Sequence, residues 1–287
     1  MNLLAKYCEP ILPPEGTECE RGYFPMFGST ECQRIGDPCP DGEFADIPND
    51  AGTEILCVSE GESIQTAIDN AKDGAVIAIG KGTFDEFVTI TDKNITLWGA
   101  CVEETVLSPA TPMDNAANDA IIRIDGTDSK KTVKVLNMTL TGGQRRGVKI
   151  TGISGELKNI EIVNSVRNGV AVEEGGLLLM ESALIQDTLP LSDKTRGQGL
   201  VIFDNCKAEL NKVVFYKNRY VGIFIATYES GASAELKATD VIVKNTQPNE
   251  SDDASGDGID VEENSIVNLH RVLIEGNRAV GIVTSTY

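Results

Sequence analysis

Gly147-Val148-Lys149-Ile150 is a four-residue pattern that returns five times before the chain ends. Each copy has a glycine followed by two aliphatic residues spaced two apart, except that Thr284 replaces the second aliphatic residue in the last copy. The other copies are Gly169-Val170-Ala171-Val172, Gly199-Leu200-Val201-Ile202, Gly222-Ile223-Phe224-Ile225, Gly258-Ile259-Asp260-Val261 and Gly281-Ile282-Val283-Thr284. Alternation with a period of two indicates a β-strand that buries one face.

The shortest interval between copies, from Gly147 to Gly169, is 22 residues, which is typical of a solenoid repeat. Each repeat also contains further short apolar strands and shows no helical period, so the sequence predicts an all-β parallel β-helix. Successive turns stack about 4.8 Å apart. We therefore expect one interior ladder, formed by Val148, Val170, Leu200, Ile223, Ile259 and Ile282. A second ladder, at the bend after the last strand of each turn, is predicted from Asn164, Asp187, Asn218, Asn245 and Asn277.

These repeats resemble the right-handed parallel β-helix proteins, the superfamily of pectate lyases and polygalacturonases. Three segments near the start of the solenoid, at 62–71, 80–84 and 94–101, extend the resemblance. In the superfamily, an amphipathic helix like 62–71 plugs the first turn, and Ser63 can cap its start. The phrase around Trp98 resembles cysteine-containing β-helix proteins predicted on bacterial surfaces, from which no activity carries over.

Length and cysteine positions predict two parts, a Cys-rich N-terminal segment at 1–54 and a β-helix at 55–287 that we expect to continue beyond Tyr287. Four of the seven cysteines fall within the first forty residues and predict a disulfide knot, with pairing left open. They are Cys8, Cys19, Cys32 and Cys39. A zinc site is the alternative, although no C-x-x-C spacing supports it. A bridge between Cys57 and Cys101 is sterically plausible, and Cys206 is expected to be a free thiol.

A formal charge of −19 argues against nucleic acid as a partner, since phosphate binding requires a cationic face. No segment reaches membrane-spanning length. Solubility explains most of the acidic residues. Calcium is the functional alternative, with Asp253, Ser255 and Asp257 as candidate ligands, but Asn264 stands where a calcium loop of the helix-loop-helix kind supplies a glutamate. We expect no other cofactor.

The two long repeats insert residues at equivalent places, 189–196 and 247–257, and these loops are expected to wall a shallow groove or to be plain insertions. An arginine lies one to three residues before most repeat glycines, and stacking predicts an arginine stripe. The stripe residues are Arg145, Arg146, Arg167, Arg196, Arg219 and Arg278. They either pair with nearby acids or bind the uronate or sulfate groups of an acidic glycan. Phe203, Phe224 and Tyr228 are candidates for an exposed aromatic surface beside them, and packing of these rings under a loop is the alternative.

Catalytic motifs are incomplete. Gly256-Asp257-Gly258-Ile259-Asp260 resembles the first polygalacturonase motif, but Asn277-Arg278 stands where a double aspartate is expected. The weak catalytic candidates are Asp187, Asp257, Asp260, Arg196 and Arg278. His270, the single histidine, matches no catalytic motif.

The sequence therefore favours a non-catalytic rod that displays a binding surface for a glycan or a surface protein. The binding residues are predicted as Arg167, Arg196, Arg219, Phe203, Phe224 and Tyr228. A lyase or hydrolase acting on an acidic glycan is the alternative. Disulfides imply an oxidising compartment, which predicts a secreted or cell-surface protein.

Overall fold

The computed structural model describes residues 10–48, 53–110, 119–142 and 146–285. These residues form one short helix and 21 strands. In chain order the elements are β1 (Tyr23–Phe24), β2 (Gln33–Arg34), β3 (Ile55–Val58), α1 (Ile64–Asn70), β4 (Ala75–Ile79), β5 (Gly82–Phe84), β6 (Val88–Thr91), β7 (Ile95–Gly99), β8 (Thr105–Leu107), β9 (Ala120–Asp125), β10 (Thr132–Thr141), β11 (Arg146–Thr151), β12 (Ser154–Val163), β13 (Asn168–Glu173), β14 (Leu177–Gln186), β15 (Gln198–Ile202), β16 (Lys207–Tyr216), β17 (Val221–Ile225), β18 (Ala234–Lys244), β19 (Asp257–Val261), β20 (Ser265–Glu275) and β21 (Ile282–Thr284).

Two parallel sheets carry the solenoid. The eight-stranded sheet runs β21-β19-β17-β15-β13-β11-β9-β6, and the main path of the larger sheet runs β20-β18-β16-β14-β12-β10-β7-β4-β3. Apart from the β3–β4 pair, every strand on these paths pairs with the equivalent strand of a neighbouring turn and not with the next strand along the chain. The predicted all-β parallel solenoid is confirmed.

The predicted interior ladder is also confirmed. Val148 pairs with Val170, Val170 with Leu200, and the register continues without a slip to Ile282. The first five members are 0% exposed, whereas Ile282 on the last described strand is 45% exposed. Because the strand period is two, this register places the alternate residues of each strand on the outside of the rod.

The repeat glycines are explained by close packing. A Cβ on Gly169 would lie 2.4 Å from Ile185 Cγ2 and 2.7 Å from the carbonyl oxygen of Gly199. A Cβ on Gly222 would lie 2.4 Å from Val243 Cγ1 and 2.6 Å from the carbonyl oxygen of Gly258. Each glycine therefore marks a corner where the backbone of one turn approaches the next too closely for a side chain.

The predicted asparagine ladder is in fact two ladders, offset by one residue. Asn164, Asp187 and Asn245 have left-handed backbone conformations, with φ of 57°, 52° and 60°. Asn218 and Asn277 follow that position by one residue. The Asn218 side chain is buried, accepts a 2.7 Å hydrogen bond from the Thr188 hydroxyl and donates to the Ile185 carbonyl. Residues of the first ladder adopt the left-handed backbone conformation that the bend requires. Residues of the second ladder form hydrogen bonds with buried backbone groups of a neighbouring solenoid turn.

Helix α1 closes the first turn of the solenoid, as predicted. The Ser63 hydroxyl accepts a hydrogen bond from Thr66 N, and Ile64 and Ile68 are buried in the main core. Glu86 accepts hydrogen bonds from the backbone of Ile64 and Gln65 and thereby holds the start of the helix. No helix in the described part of the chain is long and apolar enough to cross a bilayer.

The N-terminal segment lies along the outside of the larger sheet. Phe24, Met26 and Ile35 are buried there in a second core, against side chains from three successive turns. Those side chains are Leu184, Val214 and Ile242. The buried carboxylate of Glu161 also accepts a 2.9 Å hydrogen bond from the backbone of Gly22. The segment is thus a strap across the β-helix.

The cysteine pairing corrects two expectations. Cys19 bridges Cys32, which is one of the pairings left open, but Cys39 bridges Cys101, so the expected partner of Cys39 within the first forty residues and the expected Cys57–Cys101 bridge are wrong. The reason is that the strap carries Cys39 to the turn after β7, where Cys101 is buried, while the Cys57 side chain points outward from β3 and is free. Cys206 is a free thiol as expected, and burial raises its pKa to about 11. Cys8 lies outside the described residues.

The two inserted loops meet. Ser251 N donates a 3.1 Å hydrogen bond to the carbonyl oxygen of Lys194. Arg219, on the turn between them, donates to the Pro248 carbonyl and pairs with Glu250 at 3.1 Å. The loops are therefore bridged to each other, and the groove that they were expected to wall stays a prediction.

Candidate functional site

The outer face of the eight-stranded sheet carries the side chains that alternate with the interior ladder. These side chains are not needed for the interior packing, so their chemistry can differ from turn to turn. Its central column runs, in register, through Lys149, Ala171, Val201, Phe224, Asp260 and Val283. The column begins with a cation, becomes apolar and then reaches a carboxylate. The face therefore has three regions of different chemistry.

The first region is a closed network of ion pairs. Arg146 contacts Asp119 and pairs with Glu173 at 3.1 Å, and Lys149 lies 3.3 Å from Asp119 and 3.2 Å from Glu173. Arg146 also donates to Asn168, which is buried. Two cations and two carboxylates neutralise one another in this network, so it has little charge left for a ligand.

The second region is an aromatic cluster formed by Phe203, Phe224 and Tyr228. Phe224 is only 4% exposed because it packs among Ala171, Val201, Val221 and Ala226, so the prediction that it is an exposed surface residue is wrong. The ring of Phe203 meets Phe224 edge-on, with centroids 6.0 Å apart. On its other side Phe203 packs against Tyr228, at 5.7 Å between ring centroids.

Tyr228 presents this cluster to solvent, since it is 67% exposed. The loop that carries it is fixed by Asp204, whose Oδ1 accepts hydrogen bonds from the backbone of Tyr228 at 2.5 Å and Glu229 at 2.9 Å. Asp204 thus fixes the backbone that carries Tyr228, and the Tyr228 ring packs against Phe203.

The third region is a row of carboxylates, the acid row, formed by Asp257, Asp260 and Glu262. Burial raises the pKa of all three, and the neighbouring carboxylate raises the pKa of Asp260 and of Glu262 further. Asp257 accepts a 3.2 Å hydrogen bond from Val280 N. The buried Oδ1 of Asp260 has no hydrogen-bond partner among the described residues.

The acid row adjoins the aromatic cluster. An open groove of about 500 Å³ is lined by Thr227, Tyr228, Glu262 and Glu263. Arg196 is close enough to lower the pKa values of Tyr220 and Tyr228, which burial raises. The groove therefore combines an exposed ring, carboxylates and one nearby guanidinium group.

Comparison with known proteins gives the family. A model of the right-handed beta helix region matches residues 120–287, which is more than half of the chain. The protein belongs to the right-handed β-helix family. No curated protein matches this β-helix.

Two solved structures are similar to this β-helix at a low level. Alginate lyase from Paenibacillus sp. str. FPU-7 is 16% identical, with a TM-score of 0.38, over 76% of this chain and 75% of its own. ORF18 of Geobacillus virus E2 is 13% identical, with a TM-score of 0.31, over 78% of this chain and 57% of its own. Likeness at this level supports no argument about activity.

The predicted catalytic candidates do not form one site in the β-helix. Asp257 and Asp260 lie together in the acid row, but Asp187 lies beside the strap, in a small pocket with Glu18 and Lys217. Burial raises the pKa of Asp187. Arg278 pairs with Asp253 at 3.4 Å and forms no ion pair with the acid row among the described residues.

The predicted arginine stripe is not a single column. Arg146 lies in the ion-pair network, whereas Arg219 pairs in register with Gln247 in the following turn of the backbone. Arg146, Arg219 and Arg278 each form an ion pair with a carboxylate. This agrees with the alternative in which the arginines pair with nearby acids. Arg167 has a left-handed backbone, with φ of 75°, and Arg145 lies outside the described residues.

Two of the residues predicted to bind calcium have different partners in the structure. Asp253 is bound to Arg278, and Asp257 accepts from Val280 N. Across the described ranges, the one group of three histidine, cysteine or carboxylate side chains with clustered ligand atoms is Cys39, Cys101 and Glu103, at the strap. The calcium prediction stays a prediction.

Sequence reasoning missed several residues of the outer face. Glu262 could have been found, because it follows Asp260 by two residues and so shares its face. The partners of Arg146 could not, because Asp119 and Glu173 are each 27 residues away in the sequence and meet it only through the register of the sheet.

Proposed function

We propose that this β-helix is a secreted or cell-surface rod that binds carbohydrate on the outer face of its eight-stranded sheet. The observation that carries the proposal is the exposed ring of Tyr228, packed on Phe203 beside the acid row. An exposed aromatic ring that is already held in place offers a flat apolar surface at little cost in side-chain entropy. Sugar rings present such a surface on their C–H face.

The acid row would supply the polar contacts. Carboxylate oxygens accept hydrogen bonds from sugar hydroxyls, and Glu262 of the acid row lines the groove beside Tyr228, together with Glu263. Three neighbouring carboxylates would repel a uronate. The groove is therefore suited to a neutral sugar or an amino sugar, and less to the acidic glycan expected from the arginines.

Hydrolysis of a glycan is the second candidate function. Asp257 and Asp260 lie on one strand, and their raised pKa values favour a protonated carboxyl group at higher pH than usual. A pair of carboxyl groups with different pKa values can act as acid and base on a glycosidic bond.

The two disulfides support an oxidising compartment, and hence the secreted or cell-surface location. Calcium bound near Asp253, Ser255 and Asp257 remains part of the proposal as an optional ligand. A surface protein is the other partner class that the sequence favours.

The test is a glycan array of neutral, amino and uronate-containing oligosaccharides, read with and without calcium, together with an assay for released reducing ends. We expect binding to neutral or amino sugars that Tyr228→Ala weakens and Tyr228→Phe retains, because the ring makes the contact. Ile266→Ala is the matched control, since Ile266 is 54% exposed on the other sheet.

Three results would count against the proposal. They are binding that Tyr228→Ala leaves unchanged, binding restricted to uronates, and no binding to any sugar. Release of reducing ends that Asp260→Asn abolishes would replace it with the hydrolase.

A further inference from the structure

The strap is joined covalently to the solenoid by the Cys39–Cys101 disulfide, and a carboxylate lies against this bond. Glu103 follows Cys101 by two residues, and its Oε2 is 3.5 Å from Cys39 Sγ. The two sulfurs and the carboxylate oxygen all lie within 4.8 Å of one another. We call these three residues the clasp.

Glu103 is held in this position by the strap. A Cβ on Gly22 would lie 2.6 Å from Glu103 Cγ, so the carboxylate side chain occupies the space that a side chain at Gly22 would need. Arg34 forms a salt bridge with Glu103 and lies 4.7 Å from the centre of the Tyr23 ring. The carboxylate is therefore oriented toward the sulfurs before any ligand arrives.

We propose that the clasp becomes a zinc site when its disulfide is reduced, with Cys39, Cys101 and Glu103 as ligands. A dithiol reductant transfers two electrons and two protons to the S–S bond, which breaks to give two thiols while the reductant becomes a disulfide. Zn²⁺ then displaces the two thiol protons to solvent and binds both thiolates. The strap stays attached in either redox state.

Ligand chemistry and charge suit this ion. Zinc prefers sulfur and carboxylate ligands, and the ligand atoms of a tetrahedral site lie about 3.3–3.8 Å apart. The separation of Cys39 Sγ and Glu103 Oε2 already has this value, so the main movement is the parting of the two sulfurs. Two thiolates and one carboxylate balance Zn²⁺ together with the Arg34 cation.

The fourth position would be filled by water. Glu104 is the nearest further carboxylate, with Oε2 3.9 Å from Cys101 Sγ, but it is paired with Lys81 at 2.8 Å. The Cys19–Cys32 disulfide is a natural contrast, because no carboxylate clusters with it among the described residues.

The test is a titration of the reduced full chain with Co²⁺, which reports thiolate ligation by a sulfur-to-cobalt charge-transfer band, followed by displacement with Zn²⁺. We expect one equivalent of bound metal and a higher melting temperature of the reduced protein when zinc is present. Cys19→Ser/Cys32→Ser should leave the band unchanged, and Cys39→Ser/Cys101→Ser should remove it.

Glu103→Gln leaves both cysteines in place, so the disulfide can still form during folding. It should weaken metal binding by about tenfold or more once the protein is reduced. The proposal is overturned if the reduced wild type shows no band, if the band survives Cys39→Ser/Cys101→Ser, or if Glu103→Gln binds as tightly as the wild type.

Discussion

The corner glycines give the sharpest prediction, because Gly281, at the same position of the last described repeat, is a matched control for Gly222. In Gly222→Ala the new Cβ would lie 2.4 Å from Val243 Cγ1 and 2.6 Å from the carbonyl oxygen of Gly258, and real Cβ atoms do not approach so closely. The side chain of Val243 can rotate away, but the backbone carbonyl of the next turn cannot. In Gly281→Ala the nearest atom is Ile274 Cγ2 at 3.6 Å, which is an ordinary contact.

The magnitudes follow from these distances. Overpacking of this kind costs about 1–3 kcal/mol, and the fixed carbonyl places Gly222→Ala at the upper end of that range. Replacing glycine by alanine also lowers the conformational entropy of the unfolded chain, which stabilises the folded state by up to about 1 kcal/mol. We expect a net destabilisation of about 2 kcal/mol for Gly222→Ala and a neutral or slightly stabilising effect for Gly281→Ala.

Urea unfolding followed by circular dichroism measures the difference, provided that the denaturant slopes of the variants agree. Equal midpoints for the two variants would refute the reasoning, because both remove a glycine from the same position of the repeat. In that case the glycines would serve backbone flexibility and not the close approach of successive turns.

Three further outcomes are expected. Tyr228→Ala should lower sugar affinity about three- to tenfold, from the loss of one aromatic contact, as measured by calorimetry. Ile223→Asp should give no soluble β-rich protein, since the charge is buried without a partner, whereas Ile282→Asp, at a 45% exposed position of the same ladder, should still fold. The pKa of Asp260 is raised by burial and by Asp257, so its stabilising effect is complete below the unfolded pKa of about 3.9 and is lost as pH rises through the folded pKa. Asp260→Asn should therefore be more stable than the wild type at neutral pH, and pH-dependent urea midpoints should converge near pH 3.

The interior of the β-helix could be predicted because each turn obeys the same local rule. Val170 and Ile223 each follow a corner glycine by one residue. That position faces the interior, so it is aliphatic in every repeat, and the pattern is visible in the sequence alone. The register then follows from stacking, and the structure has it without a slip.

The outside of the rod could not be predicted in the same way. An offset of one or three residues from a glycine places Arg146 and Arg219 in different columns, because the backbone turns between those positions. The Cys39–Cys101 bridge joins residues 62 apart and depends on the path of the strap, which has no repeat to guide it.

Phe224 shows why exposure is hard to infer on this face. Its position in the strand points outward, yet Ala171, Val201 and Val221 form a separate small apolar cluster around it on the outer face. Period-two alternation specifies which face a residue occupies, but not what covers that face. Tyr228 is exposed because it lies in a loop beyond the strand, where the alternation no longer applies.

The acid row argues that the outer face has a role other than holding the rod together. The solenoid is stabilised by its interior ladder, and neither Asp260 nor Glu262 contributes to that core. Burial raises the pKa values of both, so their ionised forms destabilise the folded chain. Groups that cost stability persist where a ligand benefits from them, and Glu262 lines the groove beside the exposed ring of Tyr228. A purely structural rod would gain by replacing Asp260 with an amide or an aliphatic residue, as Val201 and Ala171 show in the same column of earlier turns.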